Sequence, residues 1–524
     1  MFSRHSYIII IIILALFLRF YGAAMPFFID DDTDWILLAN FISFNSKSLS
    51  LLPFGSGHGP LTAYLVKFSG ILFGENAFGW RVLSIIFGTL LVMIIYLITK
   101  EGLDSRVANF AAYLSAINIP FIFMSKYATD DIYSLFFFCL SLLFLIRALI
   151  RQNNIYMLLA GISLGLGLLT KENIILLVVV FSLFLVFTKK FRFWLKRRAY
   201  YISICIGVAI SWPYLYWLFT HKFYFFQSAI KEGGQWINFF NLPLSITYLF
   251  LGLPQPLFDK EFALGYHFIG PWIGVFCIMS ILYSLRYLKN NFILLMQMIF
   301  WVVFFCETIF FRGIPRQFII IIVPALITTA FMFEKFWQRN KFYKFLIVII
   351  LGYFLISTLF FTLNSEKYYS LHSQKELSLL DNKLIQIDLN YLAQLFILYG
   401  QPFNPTLLVF PEPGLDPVDN FVNAYSRKKT IGSSLENRFL PYVKEDFKRV
   451  VFFSIFNDDL KRYEAWAKKN IFNSLREEKE VCLTSNYCLP FKLLILSTNN
   501  IDNLTDQQID DFVTLSMPYH YVQN

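Results

Sequence analysis

From residue 8 to residue 363 the chain alternates long apolar runs with short polar stretches, and after that the long runs stop. The apolar runs cover Ile8–Gly22, Trp80–Thr99, Val107–Met124, Ile132–Ile150, Tyr156–Thr170 and Ile174–Thr188. They continue with Tyr200–Phe219, His267–Leu288, Phe292–Phe311, Phe318–Phe333 and Phe345–Leu363. Most approach the roughly 20 residues that a helix needs to cross a bilayer. A backbone in lipid must satisfy its own polar groups, so these runs are predicted to be helices. The first follows the short basic start Arg4-His5, and no clear small-residue cleavage site comes after it. It is therefore expected to be a retained first helix rather than a signal peptide.

Charge gives the series a direction. With the N-terminus in the cytoplasm, alternate loops hold Lys100 and Arg106, then Arg147 and Arg151. Lys189, Lys190, Arg192 and Lys196-Arg197-Arg198 come next, followed by Arg286 and Lys289, then Lys335, Arg339, Lys341 and Lys344. The opposite loops carry fewer basic residues and most of the acids, which is the positive-inside pattern. An odd number of spans then places everything after about Asn364 outside the cytoplasm. Composition agrees: 57% of the 524 residues are hydrophobic, 19% aromatic and only 15% charged. The net charge of +10 lies largely in the short cytoplasmic loops, so it is topological and does not call for a nucleic acid partner.

The expected architecture is an all-α polytopic membrane domain of about eleven spans over residues 1–364, followed by a small soluble α/β domain over 365–524. In that tail Thr406–Phe410, Arg449–Ile455 and Phe491–Leu496 read as strands, and Leu460–Leu475 as helix. Cys482 and Cys488 are a candidate disulfide in an oxidising compartment, or two unrelated thiols. Asn503-Leu504-Thr505 has the pattern of a glycosylation acceptor, which also arises by chance. There is no convincing internal repeat and no Walker or dinucleotide-binding loop.

The candidate chemistry lies in the outer loops. The first, residues 25–79, contains Asp30-Asp31-Asp32-Thr33-Asp34-Trp35, four carboxylates in five positions. Such a run repels itself, and it suits a general base or a shared divalent cation; it also suits a solvated acidic loop. Gly55-Ser56-Gly57-His58-Gly59-Pro60 follows, where His58 is a candidate donor to a phosphate or a sugar, or a structural histidine. The second outer loop reads Ser125-Lys126-Tyr127-Ala128-Thr129-Asp130-Asp131. Acids at a helix mouth are costly to desolvate, so Asp130 and Asp131 are either functional or caps of the next helix. Lys171, Arg312 and Arg316 are cations on the side where cations are scarce. They point to an anion such as a phosphate, or to lipid headgroups.

In their order, these stretches resemble the GT-C membrane glycosyltransferases, in the clan of dolichyl-phosphate-mannose protein mannosyltransferases and bacterial aminoarabinose transferases. Asp31-Asp32-Thr33-Asp34-Trp35 with Ala39 resembles that clan's Asp-Glu-x-x-Tyr-(three residues)-Ala, with Asp32 for Glu and Trp35 for Tyr. His58-Gly59-Pro60-Leu61 with Tyr64 resembles His-Pro-Pro-Leu-x-x-Tyr, Gly59 departing. Phe73-Gly74 with Trp80-Arg81 and Ser84 resembles the entry to the second span. Lys126 to Asp131 resembles the Arg-x-x-x-Thr-Asp region, and Gly165 to Lys171 the Gly-Leu-x-x-Leu-Thr-Lys run. Pro315-Arg316-Gln317-Phe318 with Pro324 resembles a late Arg-Tyr-x-x-Pro. The resemblance covers about residues 5 to 335 and implies a sugar donor on a polyprenyl phosphate. Asp31 would be the general base, with Asp32 and Asp131 as further acids of the site. His58, Lys126, Lys171, Arg312 and Arg316 would receive the phosphate, and Arg19 would help arrange the acidic loop. Sugar transfer would proceed with inversion to an extracytoplasmic acceptor. The resemblance also implies no cofactor, although the extra acids leave a divalent cation open. The other reading is a transporter or flippase of lipid-linked or anionic substrates, which needs mid-membrane charges and related halves; neither is evident.

Overall fold

The computed structural model describes residues 6–23, 35, 39, 59–74, 77–220, 271–310 and 320–363, and five strands beyond them. The chain divides into two units, Met1–Ala24 with Phe44–Glu366, and Met25–Ser43 with Lys367–Asn524.

The described part of the first unit is helical. Its elements are α1 (Ser6–Phe20), α2 (Leu61–Phe73), α3 (Ala77–Gly102), α4 (Ser105–Ala116) and α5 (Ile119–Ser125). There follow α6 (Asp130–Arg151), α7 (Asn154–Leu168), α8 (Leu176–Phe187) and α9 (Arg198–Thr220). The last four are α10 (Pro271–Ser284), α11 (Phe292–Phe310), α12 (Ile322–Trp337) and α13 (Lys341–Leu363). Every apolar run named above has a helix within it. One helix, α2, falls inside the stretch expected to be an outer loop. Its thirteen residues are too few to register as a span, yet they are apolar enough to pack against α3. Four described helices are long and apolar enough to cross a membrane, or five if one bent pair counts as a single span. Several of the expected eleven runs form shorter apolar helices, among them Asn154–Leu168 and Leu176–Phe187.

The bent pair is α4 and α5, which meet at 58°. Pro120 causes the break. It has no N–H to give to the carbonyl four residues back, and its ring crowds that carbonyl. Asn118 starts the new helix, its side chain accepting from the Phe121 N–H at 3.1 Å. Elsewhere small residues let helices close up. Gly161 and Gly165 of α7 face Ser203 and Gly207 of α9, and a Cβ on Gly161 would overlap the Ser203 backbone. Glu101 at the end of α3 bonds both Arg147 and Arg151 of α6 at 3.0 Å, joining two of the basic loops. α3 and α6 lie inside the bundle, with 72% and 78% of their apolar windows buried, whereas α9 and α13 bury 33% and 17% and form its periphery.

In the second unit the described strands are β1 (Thr406–Phe410), β2 (Thr430–Gly432), β3 (Arg449–Ser454), β4 (Asn473–Thr484) and β5 (Tyr487–Ser497). They form one sheet in the order β2-β1-β3-β5-β4. β1 runs parallel to β2 and β3, and β5 antiparallel to β3 and β4. Residues 473–475, expected to end a helix, open β4 instead. Cys482 stands opposite Cys488 in the β4–β5 register. Asn503 lies outside the described residues.

Candidate functional site

The chain turns sharply after α5. Lys126 N–H bonds the Phe123 carbonyl at 2.9 Å, and Tyr127, Ala128 and Thr129 carry the backbone to α6. Thr129 stands at the N-cap in extended geometry (φ −109°, ψ 159°), but its side chain caps nothing. Asp130 and Asp131 are the first two residues of α6, where the helix dipole favours negative charge. Despite its polarity the whole segment is inside: Lys126 is 3% exposed, Thr129 0%, Asp130 3% and Asp131 1%.

Lys171 reaches the two acids from the end of α7. Its own N–H and the Thr170 hydroxyl bond the Gly167 carbonyl, at 3.0 and 2.6 Å, which turns the chain off the helix. The Lys171 ammonium then lies 2.7 Å from Asp131 Oδ1 and 3.1 Å from Asp130 Oδ2. Burial works against that charge, but the carboxylates of Asp130 and Asp131 outweigh it and hold the lysine above its ordinary pKa. Lys171, a candidate for an anionic ligand by sequence, is thus the centre of a buried ion triad. Forty residues separate it from Asp131, so chain order conceals the pairing. Beside it the Tyr214 hydroxyl donates to Glu172 at 3.3 Å.

Lys126 is placed differently. It is buried, yet among the described residues its ammonium has no hydrogen-bond partner. Burial, and then the positive charge of Arg19, push it down to about 8. Thr129 Oγ1 is likewise buried without a partner. Nearby, Arg81 donates to the Ala23 carbonyl at 2.9 Å and stands 5.4 Å over the Tyr127 ring. Arg81 has no role in the reading above. The signal was an arginine at the start of an apolar run, where a charge is costly. Ser84, three residues on, bonds the Tyr133 hydroxyl at 2.8 Å and ties α3 to α6.

The start of α2 meets the end of α7 close to Lys171. Leu61 N–H, an unpaired donor at the start of α2, bonds the Leu169 carbonyl, an unpaired acceptor at the end of α7, at 2.9 Å. The Gly59 backbone lies against the same carbonyl, where a Cβ would overlap it. This accounts for the departure of Gly59 from the motif it resembles. The described part of the motif thus lands two residues from Lys171. Asp31, Asp32, His58, Arg312 and Arg316 lie outside the described residues, and so do Asp30 and Asp34. Among the described residues no cluster of three or more His, Cys, Asp or Glu side chains could hold a metal ion.

The family model described as dolichyl-phosphate-mannose-protein mannosyltransferase matches residues 57–217, a stretch that runs from the histidine loop to α9. ArnT from Cupriavidus metallidurans, in its structure bound to undecaprenyl phosphate, is 13% identical, with a TM-score of 0.58 over 96% of this chain and 100% of that one. The Archaeoglobus fulgidus oligosaccharyltransferase tethered to an acceptor peptide is 15% identical, with a TM-score of 0.55 over 88% and 70%. The fold is that of the GT-C glycosyltransferases. An uncharacterised protein of Aquifex aeolicus is 26% identical over 243 residues, and the match spans about half of that relative's length (48%). Within the GT-C fold, the family match encloses the Lys126–Asp131 loop and Lys171 together.

Proposed function

We propose that the protein is an integral membrane glycosyltransferase that moves a sugar from a polyprenyl-phosphate donor to an extracytoplasmic lipid, glycan or protein acceptor, with inversion. The observation that carries this is the buried Lys126 ammonium, which has no hydrogen-bond partner among the described residues. Buried polar groups are nearly always satisfied, so an orphaned cation is a place for an anion. The ArnT structure is bound to undecaprenyl phosphate, and an Archaeoglobus fulgidus enzyme of the same fold is in complex with a dolichol-phosphate.

In this reading the acceptor oxygen attacks the anomeric carbon, the bond from that carbon to the phosphate oxygen breaks, and polyprenyl phosphate leaves. The acceptor's proton goes to Asp31, the general base, in register with Trp35 and Ala39. Lys126 takes the phosphate charge, together with His58, Arg316 and Arg312 on the strength of the resemblance. Asp131 keeps its place through Lys171, and Asp32 fills the second acidic position. The enzyme lies in the cell (inner) membrane with its C-terminal domain on the outer side, where the Cys482–Cys488 register supports a disulfide.

The test is transfer of radiolabelled sugar from a polyprenyl phosphate in membranes holding matched amounts of protein. Asp31→Asn is expected to lower turnover roughly 100-fold or more, and Asp30→Asn and Asp34→Asn much less. Arg316→Ala should weaken donor use with little change in protein yield. Activity surviving in Asp31→Asn but lost in Asp30→Asn moves the base by one position; activity in all of them rejects the mechanism. Reporters fused after Lys100, Arg198 or Lys289 should read cytoplasmic and one after Asn364 external.

A further inference from the structure

Arg19 is the last-turn arginine of α1 and is fully buried. Among the described residues its guanidinium meets no carboxylate. Its bonds go to the place where α4 breaks. Pro120 cannot give an N–H to the Ala116 carbonyl, and Arg19 Nη1 donates to that carbonyl instead, at 3.2 Å. Nη2 donates to Ser115 O at 3.4 Å, and Nη1 also donates to Ala15 O of its own helix at 3.0 Å. The next carbonyl along, that of Ile117, accepts from the Thr358 hydroxyl of α13 at 2.7 Å. Two of the three successive carbonyls at the break thus depend on Arg19. The end of α4 is also where a helix dipole welcomes a cation.

The same side chain reaches the far end of the broken segment. Arg19 Nε donates to Ser125 Oγ at 3.2 Å, and that hydroxyl donates on to Phe121 O. Gly88 of α3 makes the room: a Cβ there would overlap Ser125 Oγ and come within 3.3 Å of Arg19 Nε. Ser125 is the last residue of α5, and Lys126 follows directly.

We infer that Arg19 is a positioning residue that stands in for the donor Pro120 lacks, holds the bend of α4 and α5, and so sets the Lys126 loop in register with the phosphate it receives. The inference rests on the donor reading given above for its catalytic consequence, and on the geometry alone for its structural one. The described charged groups around the loop are Arg19 on α1, Arg81 on α3, Asp130 and Asp131 on α6, and Lys171. Of these it is the charge of Arg19 that acts on Lys126. Removing that charge should let the Lys126 pKa rise from about 8, a change that a purely structural arginine would not produce.

Two measurements on the full-length protein in detergent test this. The first follows acetylation of Lys126 by acetic anhydride against pH, read by peptide mass spectrometry. Arg19→Gln is expected to move the midpoint upward, and Arg19→Lys, which keeps the charge, to leave it near the wild-type value. The second measures transfer from a polyprenyl-phosphate sugar. Arg19→Gln should raise the donor KM by about tenfold or more and change kcat less. Arg19→Lys should recover only part of that, because one ammonium cannot serve both carbonyls and Ser125. Ser125→Ala removes one of the four Arg19 bonds, together with the hydroxyl's own bond to Phe121 O, and is the milder variant if Arg19→Gln folds poorly; it should raise KM a few-fold. An unchanged acetylation midpoint in folded Arg19→Gln overturns the inference whether or not transfer is seen. Absence of transfer in the wild-type protein, with the midpoint shifted as expected, would instead reject the donor reading and leave the role of Arg19 at the bend standing.

Discussion

Two lysines, both buried at the same end of the bundle, have opposite surroundings. Lys171 sits between the carboxylates of Asp130 and Asp131, at 3.1 and 2.7 Å, and its charge is held in place. Lys126 sits near another cation and, among the described residues, has nothing to hydrogen-bond, so its charge is under pressure. Burial is common to the two, so it does not distinguish them. The difference lies in what each ammonium faces. A neutralised buried cation braces the fold, and an unneutralised one keeps its attraction for something arriving from outside the chain.

The sharpest way to break that contrast is to remove each charge and compare stability with donor use. Lys171→Ala leaves two buried carboxylates uncompensated and should cost about 3–5 kcal/mol, seen as a lower unfolding midpoint or poor recovery from membranes. Adding Asp130→Asn and Asp131→Asn should restore part of it. A wild-type midpoint in Lys171→Ala would show that the triad braces nothing.

Lys126→Ala should behave in the opposite way. Its unfolding midpoint should hold or rise, because an unpaired buried charge is gone, while the donor KM rises roughly 10- to 100-fold. A fall in stability with unchanged KM would exchange the roles of the two lysines.

The next effect is on pH. Lys126 carries its charge below its pKa of about 8 and loses it above, so donor affinity should weaken as pH rises from 7 to 9. Lys126→Arg, which stays charged throughout, should flatten that profile. Tyr214→Phe gives the smallest change. It removes one hydrogen bond to Glu172 and should cost about 0.5–1.5 kcal/mol with little change in KM.

Hydropathy made the helices legible wherever a run was continuous, as in Ile132–Ile150 against the observed Asp130–Arg151. It hid the break inside Val107–Met124, because Pro120 sits among residues as apolar as its neighbours and a window average passes over it. α2 escaped for the opposite reason, being apolar but short. The candidates for the site were legible from chemistry: Lys126, Asp131 and Lys171 stand out as charges beside apolar runs. Their pairing was not, since contacts such as Lys171 to Asp131 and Arg19 to Ser125 join residues far apart in the chain. Motif matching names residues and their order, but who neutralises whom is a property of packing.

Gly59 shows how such packing narrows the paths open to the sequence. Its backbone presses on the Leu169 carbonyl, and the bond from Leu61 to that carbonyl keeps α2 and α7 end to end. The proline of the motif it resembles would need space that this approach has already used. Any side chain at position 59 would have to displace the Leu169 backbone, and with it the carbonyl that Leu61 holds. The glycine is thus a spacer of zero thickness, and the span from the first outer loop to Lys171 is set by two backbones in contact.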